Sequence, residues 1–168
     1  QGSFAGFLRA ESRRRAPPGE RQAILTMDEP DHSRIRTPLS KAFYARVAKS
    51  RPKIDAIVSD VLDSVADRKA FDLIGDVAIP IPIITIARIL GVDDQRLSEF
   101  RDWSEGVILG LNPVRTPDET AHMERSQAAM TDYFTELMTA RRVKAEDDLV
   151  SDMVQLQAED APLSDTEV

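Results

Sequence analysis

The sequence predicts an all-α fold with strands absent or minimal. Three observations carry this expectation. Apolar residues recur at three- and four-residue steps over most of the chain. Helix start and stop signals bracket those runs, with Pro30, Pro52 and Pro82 near starts and Gly91 at an end. No clear strand pattern and no internal repeat emerges. The chain has 168 residues, 42% hydrophobic and 30% charged, which suits one globular domain.

The elements follow in order. Residues 1–26 read as loop with one short helix: an apolar patch of Phe4, Phe7 and Leu8, then a charged, proline-containing stretch. Residues 30–43 form the first helix. Pro30 suits its first turn, where a missing N–H costs nothing. Asp28 or Glu29 is expected to cap the start, and Asp31 complements the positive end of the helix dipole. Ile35, Leu39 and Phe43 give it a buried stripe. His32 and Arg36 stand four residues apart, so they project from one face. Two such groups stacked together suit a carboxylate-bearing ligand. The same spacing also describes a solvated amphipathic helix start.

Residues 47–68 form the second helix, with Ile54, Ile57, Val58, Val61, Leu62 and Val65 inward. Residues 71–90 add a short helix broken by Pro80 and Pro82, then a helix ending at Leu90. The isoleucines at 79, 81, 83, 84 and 86 would also suit a strand, but the prolines favour helix. With almost no polar face, this helix is expected to be buried. Gly91 is a natural stop because glycine enters left-handed space cheaply. Residues 94–111 form a helix with Leu97, Phe100, Val107, Ile108 and Leu111 inward and Trp103 beside that stripe. A loop marked by Pro113 and Pro117 follows. Residues 118–143 form the longest helix, turning Met123, Met130, Tyr133, Phe134, Leu137 and Met138 inward. Residues 148–157 form a last helix capped by Asp147 or Asp148.

The wording around His32 resembles the C-helix region of bacterial cytochrome P-450 monooxygenases. The matching residues are Met27, Asp28, Pro30, His32, Arg34, Arg36, Ala42 and Phe43. Glu29 stands where that family has a first proline, and Asp31 replaces its usual glutamate. Downstream, residues 71–82 and 86–92 resemble the D-to-E passage. Residues 100–104 resemble the F helix, and Arg141, Arg142, Asp147, Asp148 and Leu149 the G-to-H junction. Residues 163–168 resemble the opening of the I helix. The likeness covers nearly the whole chain in the right order. It implies one partial domain, residues 1–168, that is the C-to-H helical portion of the P-450 fold.

The resemblance implies heme b in the intact protein, with His32 and Arg36 on its propionates. It implies a small-molecule substrate approached by Phe4, Phe7, Val107, Ile108 and Leu111, although such residues also serve as ordinary core. It further implies a ferredoxin- or flavodoxin-type electron donor docking near Arg34, which otherwise reads as a solvated surface charge. The residues 111–118 match the family's mobile F–G connection. A heme-thiolate enzyme needs an axial Cys, and this chain has no cysteine. Glu11 and Arg14 match the family's Glu-x-x-Arg pattern formally but read as a solvated charge cluster. Ser164 and Glu167 form a capping-box pattern with one residue left after it, so the chain reads as a piece of a larger enzyme. The piece alone is expected to be inactive, to hold no heme and to self-associate.

Composition excludes several classes. A net charge of −7 argues against a general nucleic-acid binder, although Arg9, Arg13, Arg14, Arg15 and Arg21 form a local basic cluster. Without cysteine there are no disulfides and no thiolate zinc sites, and two distant histidines offer no metal cluster. No stretch is expected to span a membrane, since the apolar run at 77–87 is broken by prolines, and no signal peptide is visible. The expected compartment is the cytoplasm. The alternative reading is a non-enzymatic helical interaction or ligand-binding module. A helical transcription regulator using the N-terminal arginines is a third, opposed by the acidic balance.

Overall fold

The computed structural model describes residues 24–158, and Phe4, Phe7, Leu8 and residues 163–168 lie outside them. Helix α1 spans Asp31–Lys49 and α2 spans Arg51–Ala66. A π-helical turn, Leu73–Ala78, leads into α3, Pro80–Leu90. A 3-10 turn at Asp94–Arg96 opens α4, Leu97–Ile108, and another at Leu109–Leu111 closes it. The long helix α5 spans Pro117–Val143, and α6 spans Leu149–Ala158. Among the described residues there is no strand.

Local chemistry explains most boundaries. Helix α1 runs to Lys49, past the expected end at 43, because no glycine or proline stops it there. It breaks at buried Ser50, whose N–H and Oγ both bond the Val47 carbonyl, and Pro52 sits in the first turn of α2. The expected start at 47 therefore moves to 51. At the π-helical turn, the Asp72 carboxylate accepts from Ile74 N–H at 3.0 Å. Gly91 ends α3 at φ 90°, the left-handed geometry that suits glycine. Thr116 and Glu119 form a reciprocal capping box at the head of α5, with Pro117 at the first position. Asp148 receives the Ser151 N–H at 2.7 Å and caps α6.

Helix α3 lies between two hydrophobic clusters. On one side Ile81 and Ile84 pack with Val77 against Ile57, Val61 and Val65. On the other, Ile83, Ile86, Ala87 and Leu90 pack with Val92 against Phe100, Trp103, Tyr133 and Phe134. Phe100 and Phe134 meet edge-on at 6.4 Å, and Trp103 tilts over Tyr133 at 5.4 Å. Burying a side chain such as Ile57 contributes about 2–3 kcal/mol.

Several expectations are corrected here. Within α3 only Ala87 is fully buried. Its isoleucines are half-buried, and Ile89 lines a groove of about 620 Å³ between α1, α2, α3 and α6 together with Ala42, Ile54, Ile57 and Leu156. Leu62, Ile108 and Leu111 point to solvent rather than inward. The continuous stretch Leu73–Leu90 also reaches 18 residues at a mean hydropathy of 1.9. By length and composition alone it qualifies as a membrane-spanning segment, contrary to the sequence reading, because isoleucine content outweighs two prolines in that average. It packs against α2 on one side and against α4 and α5 on the other, while only 11% of the stretch is buried.

Polar contacts tie the remaining helices together. Arg46 of α1 forks onto Asp152 of α6 through Nε and Nη2, the latter at 2.8 Å, and its Nη1 reaches Asp147 at 2.9 Å. Lys53 of α2 bonds the other Asp147 oxygen at 2.8 Å. Asp147 lies below the usual carboxylate range because of Lys53 first and Arg46 next. Arg46 is raised, foremost by Asp152. Arg141 reaches buried Asp148 at 2.6 Å and the Gly91 carbonyl at 3.5 Å.

Candidate functional site

The first turns of α1 carry the site. Helix α1 opens with Pro30 at its cap position and no side-chain cap from it, and Asp31 lies in the first turn. Glu29 supplies the missing acceptor, taking the Ser33 N–H at 3.3 Å and the Ser33 hydroxyl at 2.7 Å. Its other contact is His32, with Nδ1 and Oε1 3.4 Å apart. These bonds, the Ser33 hydroxyl foremost and then His32, hold the Glu29 carboxyl below the usual range. Glu29 is thus the member of the Asp28/Glu29 pair that bonds the helix start.

His32 keeps about a third of its side chain exposed, and its Nδ1 is the ring atom in contact with Glu29. Arg36, one turn on, is exposed and makes no hydrogen bond or ion pair among the described residues. Arg34 differs: its Nε lies 3.5 Å from Asp31, so part of its charge is already engaged. The pair His32 and Arg36 therefore presents two donors along one open face. A carboxylate of a flat dicarboxylate such as heme could be held by the planar fork of Arg36, with His32 beside it on the same face.

The other candidates lie elsewhere. Val107 is half-buried near the end of α4, whereas Ile108 and Leu111 are 62% and 68% exposed at the tip joining α4 to α5. With Val114, 79% exposed, they form an apolar rim far along the chain from His32. Arg115 of this tip donates to the carbonyls of Leu109, Gly110 and Asn112 and so braces the turn. Among the described residues no group of three or more His, Asp or Glu side chains is placed to hold a metal ion.

Comparison with known proteins decides the family. The chain is 36% identical over 146 residues to cytochrome P450 107B1 of Saccharopolyspora erythraea, covering 86% of this chain and 34% of that protein. The chain belongs to the cytochrome P450 superfamily. It is 33% identical over 138 residues to 6-deoxyerythronolide B hydroxylase of the same organism, covering 80% of this chain and 32% of that one. Among solved structures it superposes on P450BioI in complex with a hexadec-9Z-enoic acid-ligated acyl carrier protein. That match has a TM-score of 0.77 at 28% identity and covers 86% of this chain and 38% of that chain. No family model matches. The chain spans about a third of the length of these P450 relatives, and its helices match the helical part of the P450 fold.

The sequence reading missed two features around the site. The Arg46 clamp joins residues 106 positions apart, and no local pattern marks it. The bracing of His32 by Glu29 was visible only as a departure from the family's proline.

Proposed function

We propose that this chain is part of a heme-dependent monooxygenase that hydroxylates a small organic substrate with O2 and electrons from a redox partner. Membership of the P450 superfamily supports the class of reaction. The single observation that carries the site is the sharing of one face of α1 by His32 and Arg36, with Arg36 exposed and unpaired among the described residues.

In this reading His32 and Arg36 hold heme b through its propionates. Arg36 gives a charged, bidentate fork to one carboxylate, and His32 gives a hydrogen bond from Nε2 when the ring carries both protons, Nδ1–H being on Glu29. Their work is to orient the group and neutralise its acidic tails; heme supplies the oxygen chemistry when bound. The thiolate that such heme requires does not come from residues 1–168, which contain no cysteine, so this stretch alone is not competent. Val107, Ile108 and Leu111 form an apolar approach for substrate, and Phe4 and Phe7 belong to the same proposal.

Residues 31–53 carry Arg34, Arg36, Lys41, Arg46, Lys49, Arg51 and Lys53 against Asp31 alone. Arg34, Arg46, Arg51 and Lys53 already pair with acids and Arg36 is assigned to heme, so Lys41 and Lys49 are the exposed charges left to favour an acidic ferredoxin- or flavodoxin-type donor, with Arg34 at the edge. Cytoplasmic placement goes with a soluble donor of that type.

The test is made on the full-length protein. His32→Ala with Arg36→Ala is expected to lower the heme content of purified protein by at least roughly tenfold in affinity, as lost charge-assisted contacts do. Unchanged pigment in that variant, or a colourless full-length protein, would refute the proposal.

A further inference from the structure

We propose that Arg46 is a positioning residue for the heme-binding edge: its fork onto Asp152 and Asp147 sets the rotation of α1, and so where His32 and Arg36 meet a propionate. The inference rests on the reading of His32 and Arg36 given above.

Helix α1 has little apolar anchorage. Ile35 is its one buried residue among those described. With Leu39, Ala42 and Phe43 only half-buried, apolar contact holds the helix weakly against rotation about its own axis. Arg46 supplies the second point. Its side chain is only 16% exposed, it meets Asp152 bidentately, and it shares Asp147 with Lys53. The fork geometry of guanidinium on carboxylate fixes direction as well as distance. The clamp thus joins α1 to α6 and, through Asp147 and Lys53, to α2.

Helical geometry connects the clamp to the edge. Arg46 stands ten residues beyond Arg36, on the order of 15 Å along the axis, and about 40° around it from His32. The helix runs without interruption between them, although Pro38 removes one rung of its hydrogen-bond ladder. A rotation of roughly 20° about the axis moves a side-chain tip about 6 Å out by about 2 Å. Hydrogen bonds to a carboxylate do not survive that shift. Releasing Arg46 should therefore loosen heme without touching any residue that contacts it.

The experiment uses the full-length, heme-loaded protein. Arg46→Met and Arg46→Lys are each made alone and with His32→Ala/Arg36→Ala, and heme loss to an excess of apomyoglobin is timed. Heme reduction potential is recorded alongside. Arg46→Met alone is expected to speed heme loss roughly tenfold and shift the potential, the low end of what supporting residues cost. Arg46→Lys keeps charge but not the fork, so it should fall between. In the His32→Ala/Arg36→Ala background neither change should add anything, because the groups through which Arg46 acts are gone. Unaltered heme loss in Arg46→Met, or a full additive effect in the double-alanine background, overturns the proposal and leaves the heme edge standing. If Arg46→Met does not fold, the Arg46→Lys cycle decides by the same criterion. If the double-alanine change itself leaves heme loss and potential untouched, the heme-edge reading fails and this one with it.

Discussion

Gly91 offers a test of how α3, α5 and α6 are joined. It sits at φ 90°, and a Cβ added there would lie 2.7 Å from Asp148 Cβ and closer still to its carboxyl group. Gly91→Ala must therefore do two things. It places alanine in left-handed backbone, at about 1–2 kcal/mol. It also drives Asp148 out of its pocket. Asp148 caps α6 at Ser151, worth about 1 kcal/mol. It pairs with Arg141, with side chains 4% and 13% exposed. That pair lies between the surface and buried limits, so its loss costs about 2 kcal/mol. The sum is about 4–5 kcal/mol.

The assay is urea denaturation followed by the fluorescence of Trp103, the one tryptophan, which shares a cluster with Val92 beside the glycine. Asp148→Gly removes every atom that the new Cβ would strike and by itself should cost about 3 kcal/mol, from the lost pair and cap. The double variant then adds only the backbone term, so its stability should match Gly91→Ala within about 1 kcal/mol. Full additivity, a total near 7–8 kcal/mol, would refute the view that the glycine exists to admit the Asp148 carboxylate.

Three other outcomes are expected. Thr116→Ala breaks the capping box at the head of α5 and should cost about 1 kcal/mol, with hydrogen exchange rising in the first turn of α5 and not in α2. Arg96→Ala removes the guanidinium lodged 5.3 Å from the Trp103 ring and 5.0 Å from that of Tyr133. It should cost about 1 kcal/mol and shift Trp103 emission, whereas Arg101→Ala, whose charge bonds only Glu105 among the described residues, should do neither. The clamp should be acid-sensitive in a defined direction. Asp147 is held low by Lys53 and then Arg46, so its contribution is complete above about pH 4, the unfolded value, and is lost as pH falls through the lower folded value. Lys53→Met should flatten the dependence of stability on pH below about 4; an unchanged slope would show that Asp147 is not held this way.

Which of these features the sequence could show depends on how far apart the interacting atoms are. Gly91 and Asp148 were readable one at a time, since a helix stop and a helix cap are local chemistry. Their contact was not, because it joins the end of α3 to the start of α6. The Thr116 box was readable and passed over, since Pro117 drew the reading toward a loop when it marks the first helical position. The stripe of Val107, Ile108 and Leu111 was read as inward because periodicity reports which residues share a face. It does not report where the neighbouring helix ends, and α5 leaves Ile108 and Leu111 uncovered.

His32 and Arg36 illustrate the same limit from the other side. Four-residue spacing put them on one face, and that inference needs only the helix itself. Whether the face is usable depends on what else approaches it. Asp31 takes Arg34, Glu29 takes His32 Nδ1, and nothing described takes Arg36. In the proposed reading, local acids engage Arg34 and one side of His32 and leave Arg36 open for a carboxylate. With Glu29 where the family has a proline, the helix start gains an acceptor for Ser33 and the imidazole gains a partner at Nδ1. What no local rule could supply is the rotation of α1 as a whole, which is set more than a hundred residues away at Asp152.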